Sequence, residues 1–507
     1  LLWYKAKKHF PLKESYSKYN QSSLHRLRFD DYDLIPSEGK FLKENTFCFL
    51  NLQHQFKEEI DWAFSEHGKL WNYNLQYFDF IFDEHFSPET YIPIIENFAA
   101  AILKNKLPLE PYPVSLRLIN WLLFFSKTGY DTPDFQKAIK LQTAFLEKNL
   151  EVHLLGNHYF ENLVTLFVVA LYLMDEKLLA KATKKLKVQL NEQILKDGGH
   201  HECSPMYHTI LLSRLLLIYR LLQCNDLSTE IQPLLEKTIS KMQGWLQAFS
   251  FKDGSYAKFN DATENIAVDT KTINRIFQKT KLAVELLNLK ESGYRKFSND
   301  NFEMIVDVGN IIPAFQPGHA HSDMLSFVLN FQGKEIFIDP GISTYEVNEQ
   351  RLLERGTLFH NTVSINKENQ SEVWASFRVA KRAELRLKND ELNFCCASHN
   401  GYKKRFGIEH ERTFIFREKE IEIVDQIECN NAISATAHFY FAPTLLLIQK
   451  DEKSVAIGEE LMFSVDDCYA LKIHSVIMPD GYNNFVAANK IEVAFRKNLH
   501  TRIFVLG

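Results

Sequence analysis

The stretch Met324-Leu-Ser-Phe-Val-Leu-Asn-Phe331, followed by Gln332-Gly333 and Glu335-Ile-Phe-Ile338, decides how the chain divides. Leu325, Phe327, Leu329 and Phe331 alternate with Met324, Ser326, Val328 and Asn330, the period of a β-strand, and Gln332-Gly333 supplies a turn into the next strand. The same syntax returns at Thr413-Phe-Ile-Phe416, the polar turn Arg417-Glu-Lys-Glu420, and Ile421-Glu-Ile-Val424. Short strands and tight polar turns continue to Gly507, so residues 292–507 are predicted to form an antiparallel β-sandwich.

Upstream the period changes to about 3.6 residues. Glu176 to Leu195 places Leu179, Ala182, Leu186, Leu190 and Ile194 on one face and lysines elsewhere, as a half-solvated outer helix does. Leu163 to Met174 and Ile210 to Leu222 are apolar almost all round, which suits inner helices buried on every side. Consecutive helix pairs of this kind over residues 1–291 predict a curved array or (α/α) toroid, with an ordinary helical bundle as the alternative. The expected class is therefore α+β multidomain.

With 507 residues, the chain is longer than a single core usually supports, in keeping with two large domains. Apolar residues make up 45% and charged residues 24%, and 40 Phe with 20 Tyr suffice for cores and for sugar-stacking platforms. A formal charge of −5 argues against general nucleic-acid binding while allowing a local basic cleft for an acidic polymer. The seven cysteines have no metal-ligand rhythm, and Cys395 and Cys396, adjacent in an expected strand, point to opposite faces. No stretch approaches the roughly 18 uninterrupted apolar residues of a membrane span. Leu1-Leu-Trp-Tyr-Lys5 has neither a signal-peptide pattern nor an initiating Met, so the compartment stays open: periplasmic or secreted if an export signal was removed, otherwise cytoplasmic.

Four clusters carry possible chemistry. Gly156-Asn157-His158-Tyr-Phe-Glu161-Asn162 precedes an apolar helix, where an amide and an imidazole at the helix mouth suit a carboxylate; the alternative is that Asn157 only caps the helix. In Asp197-Gly-Gly-His-His-Glu202-Cys-Ser204-Pro205-Met-Tyr207-His208, the Ser-Pro pair starts a helix and puts the Tyr207 phenol in its first turn, either for proton transfer with a lowered pKa or merely for packing. Gly318-His319-Ala-His321-Ser-Asp323 spaces two imidazoles on one face of an extended segment. With Asp339 and His360 at neighbouring strand ends they make a zinc-type set, or else a group of hydrogen-bonded histidines. Trp71, Tyr77, Arg117, Asp261, Trp374 and Arg378 lie in polar-aromatic stretches that suit a sugar cleft, although each alone is more often structural.

Taken in order, these clusters resemble the heparinase II/III-like polysaccharide lyases, a group similar in architecture to certain oligoalginate lyases. The resemblance runs from Trp71 through Arg378 and into the later strands, and rests most on HAHSD (319–323), FIDPG (337–341) and HNTV (360–363), supported by GNHYFEN (156–162) and DGGHHECSPMYH (197–208). It implies an incomplete (α/α) toroid followed by an antiparallel β-sandwich, and β-elimination of a uronic-acid-containing glycan to a 4,5-unsaturated product. It also implies that Asn157, with His158, neutralises the uronate carboxylate, that Tyr207 is the principal proton-transfer residue, that His319 is its partner base or acid, and that Tyr345 lines the site. His321, Asp339 and His360 match a divalent-metal site, most often Zn²⁺, whose expected role is structural. The implied partner is an acidic polysaccharide or oligosaccharide. Which glycan, the oligomeric state and endo or exo cleavage stay undetermined. Two other functions compete: a glycoside hydrolase on a similar toroid, which needs two spaced carboxylates drawn from Glu161, Glu202 or Asp261, and a catalytically silent glycan-binding protein.

Overall fold

The structure is a computed structural model that describes residues 17–19, 22–36, 39–427 and 434–506. Leu1–Lys5, on which the signal-peptide reading falls, lies outside the described residues. The chain forms two compact units that interleave along the sequence. The first comprises Leu1–Gln193, Thr209–Ser240 and Asn265–Ala283, and the second Ile194–His208, Lys241–Glu264 and Val284–Gly507.

The first unit is built mainly of helices: α1 (Lys69–Tyr77), α2 (Ile92–Leu103), α3 (Pro111–Thr128), α4 (Pro133–Lys148), α5 (Gly156–Leu173) and α6 (Glu176–Gln193). Helices α7 (Pro205–Cys224) and α8 (Gln232–Phe249) contribute residues 209–224 and 232–240 to this unit, and α9 (Thr270–Thr280) follows. The inner and outer assignments hold. In α5 every residue but His158 is buried, whereas α6 buries only one stripe, which includes the expected Ala182, Leu186 and Leu190 but has Leu178 in place of the half-buried Leu179, while Ile194 lies just beyond the helix. One element was not legible from periodicity: β1 (Lys40–Lys43), β2 (Thr46–Phe49) and β3 (Leu52–Gln55) form an antiparallel sheet ahead of the helices. Its strands are four residues each, too short to establish an alternation, and Phe47 and Phe49 anchor it by packing on Phe80 and Trp71.

The second unit is a two-layer antiparallel sandwich. A four-stranded sheet, β4 (Tyr294–Ser298), β5 (Phe302–Asp307), β6 (Phe327–Phe331) and β7 (Lys334–Phe337), faces a ten-stranded sheet that runs from β8 (Val363–Ile365) and β11 (Leu385–Glu391) to β19 (Phe485–Val505). Between them lies a core that includes Phe302, Met304, Phe327 and Leu329 from one sheet and Phe414, Ile423, Phe463 and Val493 from the other. Both hairpins read from the sequence form: Leu329 to Phe331 pairs with Lys334 to Phe337, and β13 (His410–Phe416) pairs with β14 (Glu420–Ile427). The strand at 327 starts later than its alternation suggests because Leu325 has φ 62°, outside the strand region.

The four-stranded sheet is covered on its other face as well. Ile305 and Val328, on the side opposite to the inter-sheet core, pack with Trp245, Phe249, Phe259 and Tyr294. Residues 241–264 therefore fold with the sandwich although they precede the change of period near residue 292. Burial on both faces also explains why Val328, out of phase with Phe327 and Leu329, is apolar.

Candidate active site

Ser204 and Pro205 begin α7 as their sequence implies. The Ser204 hydroxyl accepts the Tyr207 amide at 3.3 Å and donates to the Asp261 carbonyl at 2.6 Å, fixing the first turn against the segment that carries Asp261. That segment is held by Asn260, whose left-handed φ of 58° turns its side chain to the Cys203 carbonyl, while its Oδ1 accepts the His321 amide at 3.0 Å.

These contacts gather Tyr207, His319, Tyr345 and Asp261. The Tyr207 and His319 rings lie 4.2 Å apart, and the Tyr207 and Tyr345 hydroxyls are 2.8 Å apart. His319 Nδ1 is 2.7 Å from Asp261 Oδ2, and His321 Nε2 is 2.9 Å from Asp261 Oδ1. Both histidines of HAH thus converge, but on one carboxylate rather than on one ion. Arg351 completes the group with a bidentate pair to Asp261 at 2.5 and 2.7 Å, and also donates to the Ser376 carbonyl. Burial alone would raise the Asp261 carboxyl, yet the Arg351 charge and the two imidazole bonds hold it well below the usual carboxylate range. Asp261 is fully buried with both oxygens engaged, so its expected role in sugar binding is corrected to one of holding His319.

Burial pushes the Tyr207 phenol well above its ordinary value, with Tyr482 and Asp261 adding to the effect. This corrects the expectation of a lowered value: the phenol is held in its protonated form, the form that donates a proton. Tyr345 is raised for the same first reason. Nearby, the short strands β9 (Glu372–Trp374) and β10 (Arg378–Ala380) form a hairpin in which Trp374 and Arg378 are cross-strand partners. Trp374 is 53% exposed and Arg378 is exposed, so both are available to a ligand. At the turn, Phe377 lies 5.8 Å from His319 and 5.2 Å from Tyr345, ring to ring, and is 42% exposed.

A second group lies within the helical unit. Leu155 occupies the cap position of α5 without a side-chain cap bond, so Asn157 does not cap the helix, and it sits buried in the first turn. His158 is one-third exposed, lies tilted against Tyr112 at 4.3 Å between ring centroids and approaches Glu151 at 3.2 Å. Glu161 is buried against Arg214 at 2.8 Å. Burial raises its carboxyl although the arginine opposes the change.

Three proposed sugar contacts are corrected. Trp71 is fully buried and donates its indole N–H to the Leu52 carbonyl, Tyr77 is 7% exposed, and Arg117 is fully buried with bonds to Gln142 and the Gln76 carbonyl. Trp71 and Arg117 bond to neighbours inside the helical unit, and burial withholds all three side chains from a sugar.

At the proposed metal position the gathered ligand atoms belong to His321, Asp323 and His360, all within 4.8 Å of one another. His321 Nδ1, Asp323 Oδ2 and His360 Nε2 are buried and have no hydrogen-bond partner among the described residues. Asp339 differs from its expected role: its Oδ2 lies 2.7 Å from His360 Nδ1 and turns Nε2 toward the other two, as an outer-shell carboxylate does. The donor set of two imidazoles and a carboxylate fits a zinc-type ion.

The pattern of the heparinase II/III N-terminus matches residues 119–282, and that of the heparinase II/III-like C-terminal domain matches residues 283–504. The chain belongs to the heparinase II/III-like family. A heparin-sulfate lyase of Bacteroides stercoris is 24% identical over 278 residues, which are 50% of this chain and 40% of that protein. The chain thus matches less than half the length of that curated relative. Among solved structures, a heparinase III superposes with a TM-score of 0.68 at 17% identity, covering 100% of this chain and 91% of the other. A chondroitin AC lyase of Streptomyces coelicolor A3 superposes at 0.53 with 8% identity, covering 85% and 73%. The expected fold class, an incomplete (α/α) toroid followed by an antiparallel β-sandwich, is the architecture of this heparinase II/III-like protein. No helix among the described residues is long and apolar enough to cross a membrane.

Arg351, Phe377 and Asp323 were not singled out from the sequence. Asp323 stands inside HAHSD and was within reach; Arg351 meets Asp261 across 90 positions, which no local spacing reveals.

Proposed function

We propose that this heparinase II/III-like protein is a polysaccharide lyase that cleaves a uronic-acid-containing glycan by β-elimination. The observation that carries the reading is the close contact of the Tyr207 phenol ring with the His319 imidazole, with His319 Nδ1 fixed by Asp261. Elimination removes the C5 proton of a uronate and expels the C4-linked oxygen. His319 takes the C5 proton, and the Tyr207 phenol, held protonated by its burial, protonates the departing oxygen. For the opposite epimer, Tyr207 does both on one face: its phenolate, formed by loss of the phenol proton to solvent and hydrogen-bonded by the Tyr345 hydroxyl, takes the C5 proton and passes it to the departing oxygen. Asn157 and His158 stabilise the developing enolate, and donors of this kind contribute about 3 to 4 kcal/mol each.

His321, Asp323 and His360 would hold a divalent metal, with Asp339 orienting His360. A bound ion there braces the sandwich. The elimination involves no attacking water, so a metal-activated hydroxide has no task. A glycoside hydrolase fits less well, because two of its available carboxylates, Glu161 and Asp261, are already committed to Arg214 and Arg351.

The test is incubation with a panel of heparan-type, chondroitin-type, alginate and bacterial uronate glycans. New ultraviolet absorbance from the 4,5-unsaturated product is the expected result. New reducing ends without absorbance indicate a hydrolase, and binding without either indicates a glycan-binding protein.

A further inference from the structure

We propose that His200, His201 and Glu202 form a binding site for a divalent transition metal of the zinc type, separate from the group formed by His321, Asp323 and His360. Each of the three residues offers one ligand atom, and these atoms lie within 4.8 Å of one another. All three are buried, with relative exposures of 1%, 3% and 2%.

Three consecutive side chains converge only when the backbone beneath them is tightly fixed, and here it is. Asp197 accepts the Gly199 amide at 3.0 Å and the Ser292 amide and hydroxyl at 2.7 and 2.8 Å. Gly198, with φ +87°, lies where a Cβ would come within 2.3 Å of the Lys241 carbonyl oxygen. A Cβ on Gly199 would meet Trp245 Nε1 at 2.7 Å. The loop is therefore pressed onto the Lys241 backbone and the Trp245 indole, and the Cys203 amide closes the turn onto the His200 carbonyl at 3.0 Å. Such a support presents its side chains in one arrangement.

The spacings are within reach of a common ion after small side-chain adjustments. His200 Nδ1 and Glu202 Oε2 are 3.8 Å apart, too far for a hydrogen bond. Two ligands about 2.1 Å from a tetrahedral ion stand about 3.4 Å apart. His201 Nε2 is buried without a hydrogen-bond partner among the described residues, a costly state for a nitrogen that a metal bond would satisfy. Two imidazoles and a carboxylate favour Zn²⁺ or Co²⁺ over Ca²⁺ or Mg²⁺. Because Glu202 Oε2 is 3.9 Å from His319 Nε2, the ion would place its charge beside the proposed proton-transfer pair. Its occupancy does not depend on which glycan, if any, the protein cleaves.

The experiment is Co²⁺ titration of the full chain carrying His321→Ala and His360→Ala, stripped with chelator and checked for fold by circular dichroism. One equivalent of Co²⁺ with visible absorption is expected, and it should disappear when His201→Leu is added. Less than about a tenth of an equivalent, or the same binding with and without His201→Leu, overturns the proposal. Should the double variant fail to fold, elemental analysis of zinc-reconstituted wild type against His201→Leu decides: one equivalent less in the variant supports the site, and equal content overturns it.

Discussion

The hydroxyls of Tyr207 and Tyr345 meet at 2.8 Å although 138 positions separate them in the chain. Each phenol is raised by burial, so the pair shares one hydrogen bond between two protonated groups, and a proton leaving Tyr207 has a neighbour able to reorient toward the oxygen it leaves. Tyr207→Phe keeps the ring on His319 and removes only the hydroxyl. Turnover should fall at least about 10²-fold with KM little changed, and retention of more than about a tenth of wild-type kcat would exclude Tyr207 as the proton donor.

Asn157 lies in the first turn of α5 without capping it. Asn157→Ala should accordingly lower kcat/KM on acidic substrates while shifting stability by less than the roughly 1 kcal/mol typical of a lost cap. A sharply lower melting temperature with normal kcat/KM would assign it a structural role.

Removal of Arg351 leaves the buried Asp261 carboxylate without its bidentate partner. Arg351→Met should cost about 3 to 5 kcal/mol in urea unfolding, the range for breaking a buried pair. The double variant Arg351→Met/Asp261→Asn should recover much of that loss, and a double variant as unstable as the single one would show that the pair is not coupled.

Among the buried imidazoles outside the proposed metal positions, His208 and His438 help to set an acid limit on stability. Burial lowers His208 to about 3, partly offset by the Met242 carbonyl, and lowers His438 to about 4, partly offset by Glu492. Both folded values lie below the unfolded value of about 6.5, so between them the unfolded chain binds more protons and stability falls as pH drops from about 6.5 toward 4. Each residue contributes at most about 1.4 kcal/mol per pH unit. Urea midpoints measured at pH 7, 6 and 5 should decline, and His438→Gln should flatten the decline; an unchanged slope in the variant would count against this assignment.

If His321, Asp323 and His360 hold a metal, chelation should lower the melting temperature, because an ion bound only by the folded chain adds its binding energy to stability. Protein purified without added metal should contain a divalent ion. Less than about a tenth of an equivalent, together with a melting temperature indifferent to chelator, would mean that the three residues hold no ion and that His321 and His360 serve through their bonds to Asp261 and Asp339.

Local order was legible wherever a period or a cap spans a few residues. Glu176–Gln193 and the Phe327 hairpin followed from spacing alone, as did the start of α7 at Ser204-Pro205. Burial of polar groups was not legible. Trp71, Tyr77 and Arg117 occur in polar-aromatic stretches that look like sugar-binding sequence, but Trp71 and Arg117 bond to neighbouring carbonyls and an amide inside the helical unit, and only the fold brings those partners up. The interleaving of the two units escaped for a related reason. Residues 241–264 have a partner in the outer face of the four-stranded sheet, and that face comes later in the chain.

Arg351 touches both the carboxylate that seats His319 and the carbonyl of Ser376 at the tip of the β9–β10 hairpin. The loop that presents Trp374, Phe377 and Arg378 and the imidazole of the proposed active centre are consequently fastened to one guanidinium. Grafting a different hairpin to change substrate preference would disturb the seating of His319 unless the new turn offers Arg351 a carbonyl at the same place. Engineering selectivity here means redesigning the tip around a fixed anchor, and side chains on either side of Ser376 are freer to vary than the backbone between them.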